Sequence, residues 1–482
     1  MLYSYSNRTL LLAAAFLLLI SVAAGAYLQE FLLPLIPLAL AAFVFLLQNP
    51  RILFYGLMLS IPWSIEYNFT PTLGTDLPDE PLMLLTALAA IMLMIHQRKK
   101  MMQAALHPLL VILLIHFAWL LVTVATSSGV LLSAKYLLAK SWYLLAFVAA
   151  PLILFKDPSV LKKALFMLFI SMMAFMIYAI IKHEQYGFTF EKINTALEPF
   201  YRNHVNYSAI LVFMVPVQIA IYKLTTSKKT KQFIKIIFII TLVALYLSYA
   251  RGAWLALIAG FIAYWLIRRK LLLAAYLCFL LVCAGAVLYL KSNDRYLAFA
   301  PDYNTTIWHS DFRDHLVATY TMKDVSTAER FHRWVGGVRM IPDSWQTGFG
   351  PGTFYHQYKS YTQPLFKTWV SKNEEKSTVH NYFLLLIIEQ GLIGLLLFAA
   401  LLGGMFWYVQ RIYHSTNHPF WKQAMAAVGA ILLMQCVINS LSDLIESDKV
   451  GSVFYLCLAT VILASQAVER EAASGKLQAA RP

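Results

Sequence analysis

Val379-His380-Asn381-Tyr382-Phe383 runs into Glu389-Gln390-Gly391-Leu392-Ile393-Gly394. On one side of this stretch lies a hydrophilic segment, residues 291–379; on the other begins a long apolar run, in a protein that is 60% hydrophobic. A His-Asn pair therefore stands where a wet region meets a greasy helix. An imidazole in that place can act as a base on a membrane-bound substrate. A His beside Asn at a helix start can equally just cap the helix or hydrogen-bond locally. Glu389 follows His380 by about 13 Å along a straight helix and half a turn off, so it should not pair with His380 unless the helix breaks. Gly391 and Gly394 favour either a local break or close helix packing.

Outward from that stretch the chain is dominated by apolar runs. Only 13% of residues are charged. Runs of about 18–20 apolar residues have the length of a bilayer-spanning helix. Spans are expected near 9–27, 31–48, 52–64, 81–96, 107–125, 136–155, 164–182, 204–222, 235–250, 253–267, 271–290, 391–410, 424–441 and 451–468. The expectation is an all-α polytopic membrane protein with about fourteen transmembrane helices, the runs at 52–64 and 253–267 being the shortest. The organisation reads as N-terminal transmembrane helices (1–290), a large loop region (291–379), C-terminal transmembrane helices (380–468) and a tail (469–482). The N-terminal apolar run is long and turns straight into a second span, which predicts a retained first helix and not a cleaved signal.

Lys and Arg set the orientation. Arg98-Lys99-Lys100, Lys162-Lys163, Lys223 to Lys235, Arg268-Arg269-Lys270, and Arg411 with Lys422 mark one set of loops. The 65–80 loop, with Glu66, Asp76, Asp79 and Glu80 and no Lys or Arg, belongs to the other set. The alternation works if both termini are cytoplasmic and 291–379 is extracytoplasmic. The net charge of +15 is then mostly a topology signal and calls for no nucleic-acid partner. Cys278, Cys283, Cys436 and Cys457 all fall within expected spans and read as packed apolar thiols, without metal spacing or a disulfide framework.

Three elements on the extracytoplasmic side carry unusual polar residues. The first is Glu198-Pro199-Phe200-Tyr201-Arg202-Asn203-His204. The second is the tight connection Ser248-Tyr249-Ala250-Arg251-Gly252. Arg251 stands between two apolar runs, where it either snorkels to the interface and anchors lipid headgroups or presents a planar fork to a phosphate. Leu255, four residues on, could pack beneath it. The third is the 291–379 region with the His380 helix. There Ser326-Thr327-Ala328-Glu329-Arg330-Phe331-His332-Arg333-Trp334 looks like a helix start, with Ser326 or Thr327 as cap. It is either an amphipathic helix resting on the membrane or part of a site, with Arg330 and Trp334 on one face. Trp308, Trp334, Trp345 and Trp369 form an interfacial belt or, in part, platforms for sugar faces. Gly348-Phe349-Gly350-Pro351-Gly352 lacks the spacing of a nucleotide loop and reads as tight backbone.

In order and placement these residues resemble the O-antigen ligase and polymerase superfamily of bacterial inner-membrane proteins. The residues that carry the resemblance are Arg251 with Leu255, His380-Asn381 with Gly391 and Gly394, and Arg330 with Trp334 followed by Pro342 to Gly352 and Phe354. The layout is similar over nearly the whole chain. The motifs cover about 200–255 and 326–395. The resemblance implies a GT-C-like membrane fold with a large helical periplasmic loop region, in the bacterial inner membrane. It also implies a polyprenyl-diphosphate-dependent glycosyltransferase with no cofactor, no metal and no nucleotide sugar. The donor would be a glycan on undecaprenyl diphosphate, and the acceptor a lipid A-core sugar or another glycan, met on the periplasmic face. Arg251 and Arg330 would stabilise the diphosphate and His380 would act on the acceptor hydroxyl. Arg202, His204, Arg333, Trp334 and Asn381 would be substrate-binding. A ligase moves a finished glycan to lipid A core; a polymerase extends a lipid-linked repeat. The competing classes are a secondary transporter, for which Lys135 and Lys140 are the nearest support, and a non-catalytic envelope scaffold.

Overall fold

Eleven helices among the described residues are long and apolar enough to cross a membrane. The computed structural model describes residues 16, 19–24, 27, 45–70, 73–98, 106–155, 157–301, 324–373 and 376–479. The expected spans at 9–27 and 31–48 lie largely outside these residues, as do Trp308, Lys99 and Lys100.

Helix α1 covers Pro50–Ser60. At about 16 Å it crosses only half of a ~30 Å hydrocarbon core, so the expected span at 52–64 is corrected to a short helix. A 3-10 turn at Ile61–Trp63 ends it. The chain then forms an antiparallel hairpin of β1 (Ile65–Thr70) and β2 (Leu73–Leu77), in the register Ile65 to Leu77, Glu66 to Asp76 and Tyr67 to Thr75. The described fold is thus α-helical with one small hairpin. Ile, Tyr, Phe and Thr in β1 suit a pleated surface.

The spanning helices are α2 (Asp79–His96), α3 (Pro108–Ala125), α4 (Val130–Leu154) and α5 (Pro158–Glu184). The short α6 (Ile193–Leu197) follows. Then come α7 (His204–Leu224), α8 (Lys228–Leu247), α9 (Arg251–Arg268) and α10 (Leu272–Lys291). After the region containing α11 (Val325–Met340) and α12 (Phe354–Gln357), the chain continues through α13 (Tyr382–Ser415), α14 (Pro419–Leu441) and α15 (Asp448–Ala479). These account for all eleven of the remaining expected spans, most of them extended by a few residues.

In lipid the apolar effect does not drive helices together, so close packing must, and small residues permit it. Helix α14 carries Ala424, Ala426, Ala427, Gly429 and Ala430 on its buried faces. A Cβ at Gly429 would meet Leu272 at 3.0 Å and Val409 at 3.1 Å; one at Gly260 would meet Met434 at 2.0 Å. Helix α14 therefore sits at the centre, while α10 buries only Leu272 and Tyr276. Helix α8 shows the other side of the rule: Ile234, Ile237, Thr241, Ala244 and Leu245 are buried, while Ile236, Ile239 and Val243 are exposed on the face a bilayer would cover. Cys436 and Cys457 are packed inside, but Cys278 and Cys283 are exposed on α10, which corrects half of the packed-thiol expectation.

Candidate active site

The start of α13 is sewn to the end of α14. Asn381 caps α13: its Oδ1 accepts from Leu384 N at 3.0 Å, and its Nδ2 donates to Ser440 O at 3.0 Å. Tyr382 N donates to Ser442 O at 3.1 Å. His380, just before the cap, has φ of +52° and a side chain 34% exposed, so its ring is reachable. After Ser442 the chain turns through a 3-10 helix, Leu444–Glu446, and this turn sets Asp443 against His380. Asp443 Oδ1 lies 3.7 Å from His380 Nδ1, an ion-pair distance longer than a hydrogen bond. Its Oδ2 accepts from Thr378 Oγ1 at 2.6 Å. Burial pushes the Asp443 carboxyl up, but His380 and Thr378 outweigh burial and hold it below its ordinary range. A carboxylate on Nδ1 orients the ring and leaves Nε2 to meet a substrate.

The arginines converge from two elements. Arg251 is the first residue of α9, and no side chain caps that helix. The free N–H groups of its first turn add partial positive charge beside the guanidinium. Asp324, and not Ser326 or Thr327, caps α11, accepting from Thr327 N at 3.1 Å and Thr327 Oγ1 at 2.8 Å. The same Oδ2 lies 3.3 Å from Arg251 Nη2. Arg330 follows on α11. Burial, then the charges of Arg251 and Arg333, push its guanidinium down to about 10 against the pull of Asp324. A cation depressed in this way is short of negative charge and favours an anion beside it. Arg251 Nη1 and Arg330 Nε are buried with no hydrogen-bond partner among the described residues.

Arg333 is engaged differently. Its Nη2 lies 3.4 Å from Glu329, and its Nη1 donates to Thr378 O at 3.4 Å. Thr378 thus links α11 to Asp443 and His380. Close backbone approach holds the parts in place. A Cβ at Gly337 would meet Ile388 at 2.8 Å and Val379 at 3.3 Å, and one at Gly252 would meet Leu441 at 3.6 Å. Trp334 packs on Phe331, with ring centroids 5.3 Å apart; its Nε1 is buried and has no partner among the described residues. Leu255 is 53% exposed and faces outward, not beneath Arg251.

Helix α13 does break at Gly391, which has φ of +70° and ψ of −177°. Four of the backbone groups around the break have partners outside the helix. Ile388 O accepts from Phe349 N at 2.9 Å, Glu389 O from Gly350 N at 3.0 Å, and Gln390 O from Trp119 Nε1 at 2.8 Å. Leu392 N donates to Trp345 O at 2.8 Å. The glycine turn read as tight backbone is therefore the piece that docks into the break. Gly348, with φ of +72°, leaves no room for a Cβ, which would fall 2.3 Å from Glu389 C. The break follows Glu389 and does not fold it back to His380. Glu389 instead accepts from Phe354 N at 3.1 Å.

Arg202 and His204 stand elsewhere. Both terminal groups of Glu66, on the hairpin, accept from Arg202, and that hydrogen bonding raises the guanidinium further. Arg202 relieves the like charges of Glu66 and Asp76, which face each other in the hairpin register. Burial, aided by Asp448, pushes Asp76 up to about 6. His204 Nδ1 lies 2.9 Å from Asn194 Oδ1, which also accepts the His204 backbone N–H.

Residue-by-residue reading of the sequence missed Asp443, Asp324 and Thr378. Lys140, the nearest support for a transporter, is engaged by Glu446 of the same turn as Asp443, its Nζ 3.1 Å away in a largely buried pair. A signal was present: Ser442-Asp443-Leu444-Ile445-Glu446-Ser447-Asp448-Lys449 places three acids between two apolar spans, on the His380 side of the bundle.

No curated protein shows significant similarity to the chain. Residues 236–399 match the family model Wzy_C, described as O-Antigen ligase. The match takes in Arg251, Arg330, Arg333 and His380 and stops short of Asp443. Over residues 236–399 the chain is a Wzy_C domain, of the O-antigen ligase and polymerase type of membrane glycosyltransferase.

Proposed function

We propose that the protein is an O-antigen ligase that transfers a glycan from undecaprenyl diphosphate to a sugar of lipid A core, with inversion, on the periplasmic face of the inner membrane. The observation that carries this reading is the pairing of two incompletely satisfied guanidiniums, Arg251 and Arg330, with an accessible imidazole backed by a carboxylate, His380 and Asp443. Thr378 ties the two halves together.

The chemistry follows from charge. The acceptor hydroxyl oxygen forms a bond to the anomeric carbon while the bond from that carbon to the diphosphate oxygen breaks. Undecaprenyl diphosphate leaves with the electron pair, and Arg251 and Arg330 stabilise the growing charge. The hydroxyl proton passes to His380 Nε2, and Asp443 stabilises the imidazolium. The arginines supply the charge stabilisation that a metal often supplies, so transfer should survive exhaustive chelation. Trp334 would line the sugar path, and the 291–379 region would close over the site from the periplasm. Arg202 and His204 are left as contacts for a distal part of donor or acceptor.

The test is the lipopolysaccharide of a deletion strain. Ligase loss leaves bare core while lipid-linked polymer accumulates. Core carrying a single repeat would instead identify a polymerase, and unchanged lipopolysaccharide would remove both readings. A reporter fused near residue 340 checks the side: a cytoplasmic signal would put Arg251 on the wrong face.

A further inference from the structure

At the end of the bundle opposite His380, helices α5, α7, α14 and α15 part to leave an open, mostly apolar groove of about 760 Å3. Lys162 and Lys163, in the first turns of α5, and His418, at the start of α14, stand at its mouth. Small residues help to line it: Ala220 on α7 and Ala424 and Ala427 on α14. Along α7 the wall runs from Thr225 back to Met214, about 16 Å at helical rise. That is the depth of one leaflet of a ~30 Å hydrocarbon core.

The charge at the mouth is one-sided. Lys162 and Lys163 are both exposed, and neither forms an ion pair with an acid among the described residues. Lys162 Nζ lies 4.7 Å from the centre of the Phe420 ring, at the groove's edge. The nearest acid in sequence, Asp157, lies outside the groove lining and caps its own helix end, accepting from Ser159 N at 2.8 Å and Ser159 Oγ at 2.7 Å; its charge reaches Lys162 without an ion pair.

We propose that this groove binds one anionic phospholipid of the phosphatidylglycerol class, from the leaflet at that end of the bundle. Its phosphate sits between Lys162 and Lys163, and an acyl chain fills the slot against Ala424 and Ala427. Two features select this occupant. The apolar wall is one leaflet deep, which fits an acyl chain, and the cationic mouth lies at the end where a headgroup would be. The bound lipid would brace α14 and α15, the two helices that hold the Asp443 turn between them. The site is independent of the transferase reading and stands or falls without it.

The test uses the full-length protein, purified in detergent and stripped of lipid. It is titrated separately with dioleoyl phosphatidylglycerol and dioleoyl phosphatidylcholine, with native mass spectrometry and thermal unfolding as readouts. Phosphatidylglycerol should bind as a single adduct, roughly tenfold or more tighter than phosphatidylcholine, and should raise the Tm. The double variant Lys162→Ala/Lys163→Ala should bind the two lipids alike, while Lys162→Arg/Lys163→Arg should keep the preference. Ala427→Trp should weaken both lipids by filling the slot; if that variant fails to fold, the lysine pair still decides. Equal binding of the two lipids by the wild type, or an undiminished preference in the double alanine variant, overturns the proposal. A dimer mass abolished by Ala427→Trp while lipid adducts persist would show instead that a second copy occupies the groove.

Discussion

Nδ1 of His380 lies 3.7 Å from Oδ1 of Asp443, whose other oxygen accepts the Thr378 hydroxyl at 2.6 Å. The pair joins two residues that are separated in sequence by the whole of α13 and α14, and it gives the imidazole a fixed partner at one nitrogen. Asp443→Asn keeps the shape and removes the charge. Transfer should fall by roughly 10²- to 10⁴-fold, with donor affinity little changed. A single-turnover assay on reconstituted protein checks this; retention of most of the rate would reduce Asp443 to an anchor for its turn.

The same carboxylate makes a prediction about stability and pH. Burial raises Asp443, but His380 and Thr378 depress it further than burial raises it. A carboxyl depressed in the folded state contributes stability that is fully present above its unfolded value and is lost as pH falls through the folded one. Wild-type protein should therefore out-stabilise Asp443→Asn at pH 7. The gap should close on acidification below about 4, as followed by thermal unfolding in detergent. A gap that widens in acid would reverse the assigned direction.

The arginine pair should show opposed effects on activity and stability. Arg330 is disfavoured as a cation in the unliganded protein, by burial first and by Arg251 second. Arg330→Met should abolish transfer and yet raise the stability of the unliganded protein, on the order of 1–2 kcal/mol. Arg251→Lys keeps the charge and loses the planar fork, so transfer should drop at least roughly tenfold while the protein still inserts. Near-normal transfer by either variant removes that residue from the diphosphate clamp.

Gly391→Ala should be among the most damaging small substitutions in the chain. Its φ and ψ fall where a side chain is strongly disfavoured, and a Cβ would sit 2.0 Å from Gln346 O. A loss above about 2 kcal/mol is expected. Gly285→Ala, in α10 with nothing within 4 Å of the new Cβ, should be neutral or slightly stabilising. Comparable unfolding midpoints for the two variants would count against the docked glycine turn.

These contrasts show what the sequence could disclose. Spans such as Pro158–Glu184 were legible because a bilayer demands a fixed apolar length; the run at 52–64 reads as a span because half a span is still apolar, and the helix there is only Pro50–Ser60. Arg251, Arg330 and His380 were legible as polar residues at the mouths of greasy helices. Asp443 was not, because its nearness to His380 depends on α13 packing along α14, which no local pattern encodes. Arg202 and His204 were grouped with the site because they share its side of the membrane, yet a common side does not bring residues together: Arg202 is held by the hairpin's Glu66. Asn381 shows the limit of residue type, since the amide proposed to touch substrate has both ends engaged in capping and joining helices.

The central claim is that His380 takes the acceptor proton and does not hold the donor. The most direct measurement compares His380→Ala with wild type in two assays on the same reconstituted preparation: equilibrium binding of the lipid-linked glycan, and its transfer to lipid A core. The account predicts transfer reduced to background, with donor affinity within about threefold of wild type, since Arg251 and Arg330 remain in place. Loss of donor binding in His380→Ala, or transfer at most of the wild-type rate, would contradict it.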